Sequence, residues 1–168
     1  MSRELHIVGF QVGRETYGVP IASLHEIVRV TEITAVPDSP EYIEGVINLR
    51  GKIVSVIDLR KRFGIKNITQ HKKNRILVVE SNARLTGLIV DAASDVLKVP
   101  AQDVEPPPAV FQDGGLNCVT GLAKYKNRLI VLLDMNKLLQ QTNRKQEGKE
   151  SEAKTAPQPE VHGAAAGR

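Results

Sequence analysis

Two aspartates, Asp58 and Asp134, have the setting most suggestive of catalysis. Each closes an apolar run, Ile53-Val54-Ser55-Val56-Ile57 before the first and Leu129-Ile130-Val131-Leu132-Leu133 before the second. A β-rich protein that brought together one carboxylate from each half could share a proton between them and activate water, as aspartic proteases do. That chemistry needs each Asp in a tight turn followed by Thr or Ser and then Gly. The followers here are Leu59-Arg60 and Met135-Asn136. Both aspartates are therefore expected to cap a short helix, accepting an amide proton at its start.

Other chemistries find less support. His6, His25, His71 and His162 are scattered, with no pair at helical ligand spacing, and Cys118 is the single cysteine. Zinc sites need several such residues at short intervals. Cys118 reads as a small buried apolar residue, and an unpaired thiol fits a reducing cytosol. No nucleophile elbow, Walker loop or dinucleotide fingerprint is present. Gly114-Gly115 lacks the strand and helix that a phosphate cradle requires. The sequence predicts no enzyme, no metal and no cofactor.

Charge is unevenly placed. From Arg50 to Arg75 there are nine Lys or Arg (Arg50, Lys52, Arg60, Lys61, Arg62, Lys66, Lys72, Lys73, Arg75) against one acid, Asp58. The net charge is +4, so the remainder is net acidic. Such a belt suits phosphates or an acidic protein surface. A small basic β-barrel that binds nucleic acid is the alternative reading. It is weakened by the absence of Trp and by only three Tyr and three Phe, because single-strand readers stack bases on aromatics.

The elements that would position these residues are mostly strands. Leu5 to Val12 alternates, turns at Gly13-Arg14-Glu15 and returns over Thr16 to Pro20. Ser23-Leu24-His25-Glu26 has capping-box order, which predicts a helical turn with Ile21, Leu24 and Val28 on one face. Strands are expected at Tyr42 to Leu49 and Ile53 to Ile57, joined around Arg50-Gly51-Lys52. Asp58 then caps a helical segment ending at Gly64. Arg75 to Ser81 and Arg84 to Val90 flank a turn at Asn82-Ala83.

The two halves match. Tyr17-Gly18-Val19-Pro20-Ile21 aligns with Thr86-Gly87-Leu88-Ile89-Val90, and Glu26-Ile27-Val28-Arg29-Val30 with Asp95-Val96-Leu97-Lys98-Val99, a shift of 69 residues (87 less 18). Gly45-Val46 aligns with Gly121-Leu122, and Lys52 to Leu59 with Arg128 to Met135, a shift of 76 (134 less 58). The extra residues fit the loop from Pro106-Pro107-Pro108 to Gly114-Gly115. Gly51 aligns with Asn127, and these residue types best tolerate the positive φ that hairpin turns need. The chain is an internal duplication.

The predicted fold is mainly β: two five-stranded SH3-like barrels with short helical turns. A domain over 1–141 would hold a first barrel at roughly 14–65 and a second at roughly 75–134, with terminal segments completing the lobes. Lobes this small bury too little surface alone, so packing them together supplies a shared core and a groove suited to docking. Residues 142–168, rich in Gln, Glu, Lys, Ala, Pro and Gly, are expected to be disordered. No apolar run is long enough to span a membrane and no signal peptide is evident, so a cytoplasmic protein is expected.

The stretch Gly45 to Arg60, GVINLRGKIVSVIDLR, resembles the hallmark of the CheW-like domain of chemotaxis coupling proteins and of the CheA kinase. LHEIVRV (Leu24 to Val30), RILVVE (Arg75 to Glu80) and GLIVDAASDVLKV (Gly87 to Val99) are similar to the same pattern, and the resemblance runs from about Leu5 to Leu139. It implies two SH3-like barrels and a non-catalytic adaptor. One surface would bind the regulatory domain of a CheA-type histidine kinase, another the cytoplasmic tip of a chemoreceptor, with recruitment to membrane-associated arrays but no membrane insertion and no nucleic acid. The motif match carries the receptor contact to Arg50, and Glu26 and Ile27 resemble the wall of the same site. Leu24, Ile27 and Val28 are its apolar candidates, some of which belong to the core. Gly45, Asn48 and Gly51 would shape the hairpin. The kinase contact would lie on the second barrel, where KYKNR (Lys124 to Arg128) stands in place of NLRG and leaves the contact residues unassigned.

Overall fold

The computed structural model describes residues 3–110 and 118–140. Strands β1 (Glu4–Val12) and β2 (Glu15–Pro20) form the first hairpin. A single 3-10 turn, Ile21–Ser23, leads into β3 (Leu24–Arg29). The second hairpin is β4 (Ile43–Leu49) and β5 (Lys52–Asp58), followed by α1 (Leu59–Arg62). Then come β6 (Arg75–Ser81), β7 (Arg84–Val90) and β8 (Ala92–Pro100), a 3-10 turn at Ala101–Asp103, β9 (Val104–Glu105), β10 (Val119–Tyr125) and β11 (Arg128–Leu133). Residues 135–140 are helical. The tail expected to be disordered lies outside the described residues, as does Gly114-Gly115.

The helical turn expected from the capping-box order is corrected. It is over by Ser23, has no side-chain cap, and Leu24–Arg29 is extended. Pairing with β6, from Leu24 opposite Val79 to Arg29 opposite Arg75, satisfies the backbone instead. The β-branched Ile27-Val28 suits a strand better than a helix.

The duplication is visible in the irregularities as well as in the strands. The β4–β5 ladder slips between Ile43 and Gly45, and the β10–β11 ladder slips at the aligned place, between Val119 and Gly121. Parallel pairing sets Ser55 beside Thr86 in one barrel and the aligned Val131 beside Tyr17 in the other.

The barrels, however, do not follow the halves. One sheet has the order β3-β6-β7-β5-β4, the other β8-β1-β2-β11-β10-β9. Each half keeps its last strands and gives its leading hairpin to the other. The expected division at 14–65 and 75–134 is therefore corrected, since β2 belongs with the second-half strands and β6 and β7 with the first-half strands. The exchange has a packing cause. β1, β6 and β7 carry apolar residues on both faces, and one face of each, together with Val19 of β2, lies in a core shared by the lobes: Val8, Phe10, Val12 and Val19 against Leu77, Val79, Leu88 and Val90. The opposite faces line the individual interiors, Ile76, Val78 and Ile89 in one barrel and Ile7 in the other. Each such side chain taken from water contributes about 1.5–3 kcal/mol. Exchanging the hairpins thus couples two lobes that would each be marginal.

Closure of the first barrel relies on the segment between β3 and β4. Thr34 exchanges two backbone hydrogen bonds of 2.9 Å with Val46 on β4. In the second barrel the aligned Leu122 faces Glu105 of β9. Gly45 makes the first of these approaches possible. Its φ is +144°, and a Cβ there would stand 2.0 Å from the Thr34 carbonyl oxygen. Gly45, expected to shape the Arg50 turn, instead makes room for this crossing segment.

Candidate functional site

The β4–β5 turn is tight, with Arg50 at φ 51° and Gly51 at φ 87°. Asn48 Oδ1 accepts the Gly51 amide proton at 2.8 Å and fixes the turn. Glycine takes this conformation freely, whereas arginine does not. The aligned turn has Lys126 at φ 46° and Asn127 at φ 63°. Both barrels therefore hold a cation in the left-handed region at the hairpin tip.

Arg50 meets Glu26 of β3. Nη1 donates to Oε1 at 2.8 Å and Nη2 to Oε2 at 3.0 Å, an end-on pair. The Arg50 side chain is 75% exposed and that of Glu26 only 19%. Exposed pairs of this kind contribute at most about 1 kcal/mol to stability. What the pair does is hold the guanidinium plane still while its remaining N–H donors face solvent. His25 stands beside it, Nε2 lying 3.9 Å from Glu26 Oε1.

The three apolar candidates separate by face. Leu24 packs against the shared core and Val28 against the first barrel's interior, whereas Ile27 points outward and is 38% exposed. Ile53, beside the turn on β5, is 69% exposed and escaped the sequence reading. Its signal is the alternation of β5: Val54 and Val56 face inward, which leaves Ile53 on the side of Ser55. The aligned positions of the second barrel repeat the pattern, Val96 for Ile27 and Leu129 for Ile53, both large, apolar and exposed. The aligned charges, Asp95 and Lys126, form no ion pair among the described residues. The Lys126 ammonium instead lies 5.3 Å from the centre of the Tyr125 ring.

A cleft of about 570 Å³ runs between the lobes, with Val36, Ile43, Ile57 and Leu85 on one side and Asn136 and Leu139 on the other. Arg50 and Glu26 do not line it. A Ser81–Asn136 side-chain hydrogen bond joins the lobes at its edge.

The aspartates act as caps. Asp58 Oδ1 accepts from the Arg60 amide at 2.9 Å and Asp134 Oδ1 from the Lys137 amide at 3.2 Å. Both Asp58 oxygens are further occupied by the Arg60 guanidinium. Among the described residues no group of three His, Cys, Asp or Glu is placed to hold a metal. No helix there is long and apolar enough to cross a membrane.

Two interlocked β-barrels, each offering a charged hairpin tip and an apolar strand face, define a protein-docking module. The chain belongs to the CheW-like domain family, whose model matches residues 6–143. It is 36% identical over 135 residues to a chemotaxis protein CheW of Helicobacter pylori, covering 80% of this chain and 81% of that one. To that of Klebsiella aerogenes it is 35% identical over 130 residues, covering 77% and 78%. The crystal structure of a CheW scaffolding protein from Thermoanaerobacter tengcongensis superposes with a TM-score of 0.75 at 41% identity, covering 81% of this chain and 92% of that one.

Proposed function

We propose that this protein is a cytoplasmic, non-catalytic adaptor that couples chemoreceptors to a CheA-type histidine kinase in chemotaxis signalling. Family membership supports the class, and the fixed Arg50–Glu26 pair is the observation that carries the residue-level reading. Arg50, Glu26 and Ile27 contact the cytoplasmic tip of the receptor, with Leu24 and Val28 supporting the strand from within. A helical hairpin presents carbonyls and carboxylates at its turn, which a planar guanidinium held at a rigid tip can bind in forked fashion. The kinase regulatory domain takes a separate surface on the second barrel. An adaptor of this kind needs surfaces rather than reacting groups, and the two best catalytic candidates are committed to helix caps. Recruitment to membrane-associated arrays then follows from the receptor, without insertion of this chain. Nucleic acid is a weaker partner, because Tyr17 stacks on Phe10 and packs at a tilt against Phe63 rather than offering a base platform.

Calorimetric titration with the kinase regulatory domain, beside an Arg50→Ala variant, tests this reading. Saturable 1:1 binding in both supports the adaptor and a separate receptor-facing Arg50. Loss in the variant alone moves Arg50 to the kinase surface. Absence of binding by either folded protein removes the adaptor function.

A further inference from the structure

The fold sorts the basic belt. Arg50 pairs with Glu26, Arg60 with Asp58 and Asp91, and Lys61 with Glu44, while Arg62 lies over the Tyr42 ring. Lys72, Lys73 and Arg75 form no ion pair among the described residues, and neither does Arg29. These four cations and His71 converge on one surface depression of about 460 Å³.

The arrangement is unfavourable in isolation. Arg29 and Arg75 are directly opposed across β3 and β6, where like charges destabilise a sheet. It is also rigidly built. Arg75 Nη1 donates to the carbonyls of Lys72 and Asn74, both at 2.8 Å. Asn74, 3% exposed, accepts the His71 amide proton at 2.9 Å and donates to the Asp91 carbonyl at 3.1 Å. The turn that carries Lys72 and Lys73 is thus pinned from the interior. A cluster whose backbone is set before binding loses less entropy when an anion arrives than one that must first be assembled.

We propose that this depression anchors an acidic segment of the protein that docks along β3, with Asp or Glu side chains meeting Arg29, Lys72, Lys73 and Arg75. The assignment rests on the docking reading above and adds a second contact to it. Arg29 shares the outward face of β3 with Ile27. The two lie two residues apart, about 7 Å along a strand, so one partner segment reaches both places. No Phe, Tyr or Trp lines the depression, which disfavours a nucleic-acid strand.

The test is an amide NMR titration of the full chain with a short, end-capped Glu-rich peptide and, separately, with poly(U) RNA. Binding of a receptor cytoplasmic hairpin is measured in parallel. The expected result is saturable peptide shifts at Arg29, Val30 and residues 71–75 that weaken as salt rises. A Lys72→Glu/Lys73→Glu variant, altered only at exposed positions, should lose about tenfold or more in affinity for peptide and hairpin alike. An Arg50→Ala variant should still bind the peptide. Peptide binding at these amides without any hairpin binding would remove the docking reading and leave the acidic-segment site standing. Unchanged affinity in the charge-reversed variant overturns the proposal. Saturation of the same amides by poly(U) at lower concentration than by the peptide also overturns it.

Discussion

Arg60 and Asp91 come from different halves of the duplication, yet Arg60 Nη1 and Asp91 Oδ1 lie 3.3 Å apart. The guanidinium is 1% exposed and also binds both oxygens of Asp58, through Nε at 3.0 Å and Nη2 at 2.9 Å. Asp91 in turn accepts the Gly13 amide proton at 2.6 Å, and its own amide donates to the Gln11 carbonyl. One buried arginine thereby links α1 of the first half, the β7–β8 junction and the tip of the exchanged β1–β2 hairpin. Burial works against its charge, but the carboxylates of Asp58 and Asp91 outweigh burial and raise its pKa above the ordinary value.

Removing Arg60 should therefore cost more than the loss of a surface charge. Arg60→Ala leaves Asp58, 2% exposed, as an uncompensated buried carboxylate, which lowers the unfolding free energy by about 3–5 kcal/mol. Arg60→Lys should recover only part of this, because an ammonium cannot reproduce the forked contact. Urea denaturation checks both. A loss below about 1 kcal/mol for Arg60→Ala would mean that the network does not hold the lobes.

Two glycines near the proposed docking face should respond very differently to the same change. At Gly51 an added Cβ meets nothing within 4 Å, so Gly51→Ala suffers only from φ 87° and should cost about 1 kcal/mol. At Gly45 the added carbon meets the Thr34 carbonyl at 2.0 Å while φ is +144°. Gly45→Ala should lose about 3 kcal/mol or more and detach the segment around Thr34. Hydrogen exchange at the Thr34 and Val46 amides reports that detachment directly.

These contrasts show what the chain discloses before it folds. Most strand positions, the paired turns and the duplication were legible because they depend on local alternation and on residues that accept positive φ, such as Gly51 and Asn127, whereas β3, expected as a helical turn, is set by its pairing with the distant β6. The resemblance at GVINLRGKIVSVIDLR pointed to Arg50 and that at LHEIVRV to Glu26, and the fold brings those two side chains together. The exchange of hairpins was not legible. Ile76 and Ile7 are equally apolar whichever half they join, and only three-dimensional packing decides between them. Arg60 was hidden for a related reason. In a run of cations it reads as solvated, and its carboxylate Asp91 lies 31 residues away.

Cys118 provides a probe of the shared core. It is fully buried, and burial pushes its thiol pKa up from the ordinary value near 9. Native protein should react with thiol reagents far more slowly than unfolded protein, with the difference lost in denaturant. The folded thiol also keeps its proton to higher pH than the unfolded one. Its contribution to stability is therefore complete below the ordinary thiol range and lost as pH rises through the folded value. Urea midpoints for wild type and Cys118→Ala should accordingly converge as pH rises from below the ordinary thiol range to above it. A constant gap across that window would show that the thiol does not titrate differently in the two states.

Arg50→Gly separates the hairpin's geometry from its surface chemistry. Arginine at φ 51° is strained, and glycine relieves that strain, while the lost pair with Glu26 was worth at most about 1 kcal/mol. The two effects oppose each other, so stability should stay within about 1 kcal/mol of wild type. Receptor-hairpin binding should nevertheless fall by about tenfold or more, because the forked donors are gone. Arg50→Lys keeps the charge but loses the planar fork, and it should bind between the two. Denaturation together with a hairpin titration distinguishes the cases. Wild-type affinity in Arg50→Gly would move the receptor contact away from this turn, and a matching loss of stability would show that the pair serves the fold instead.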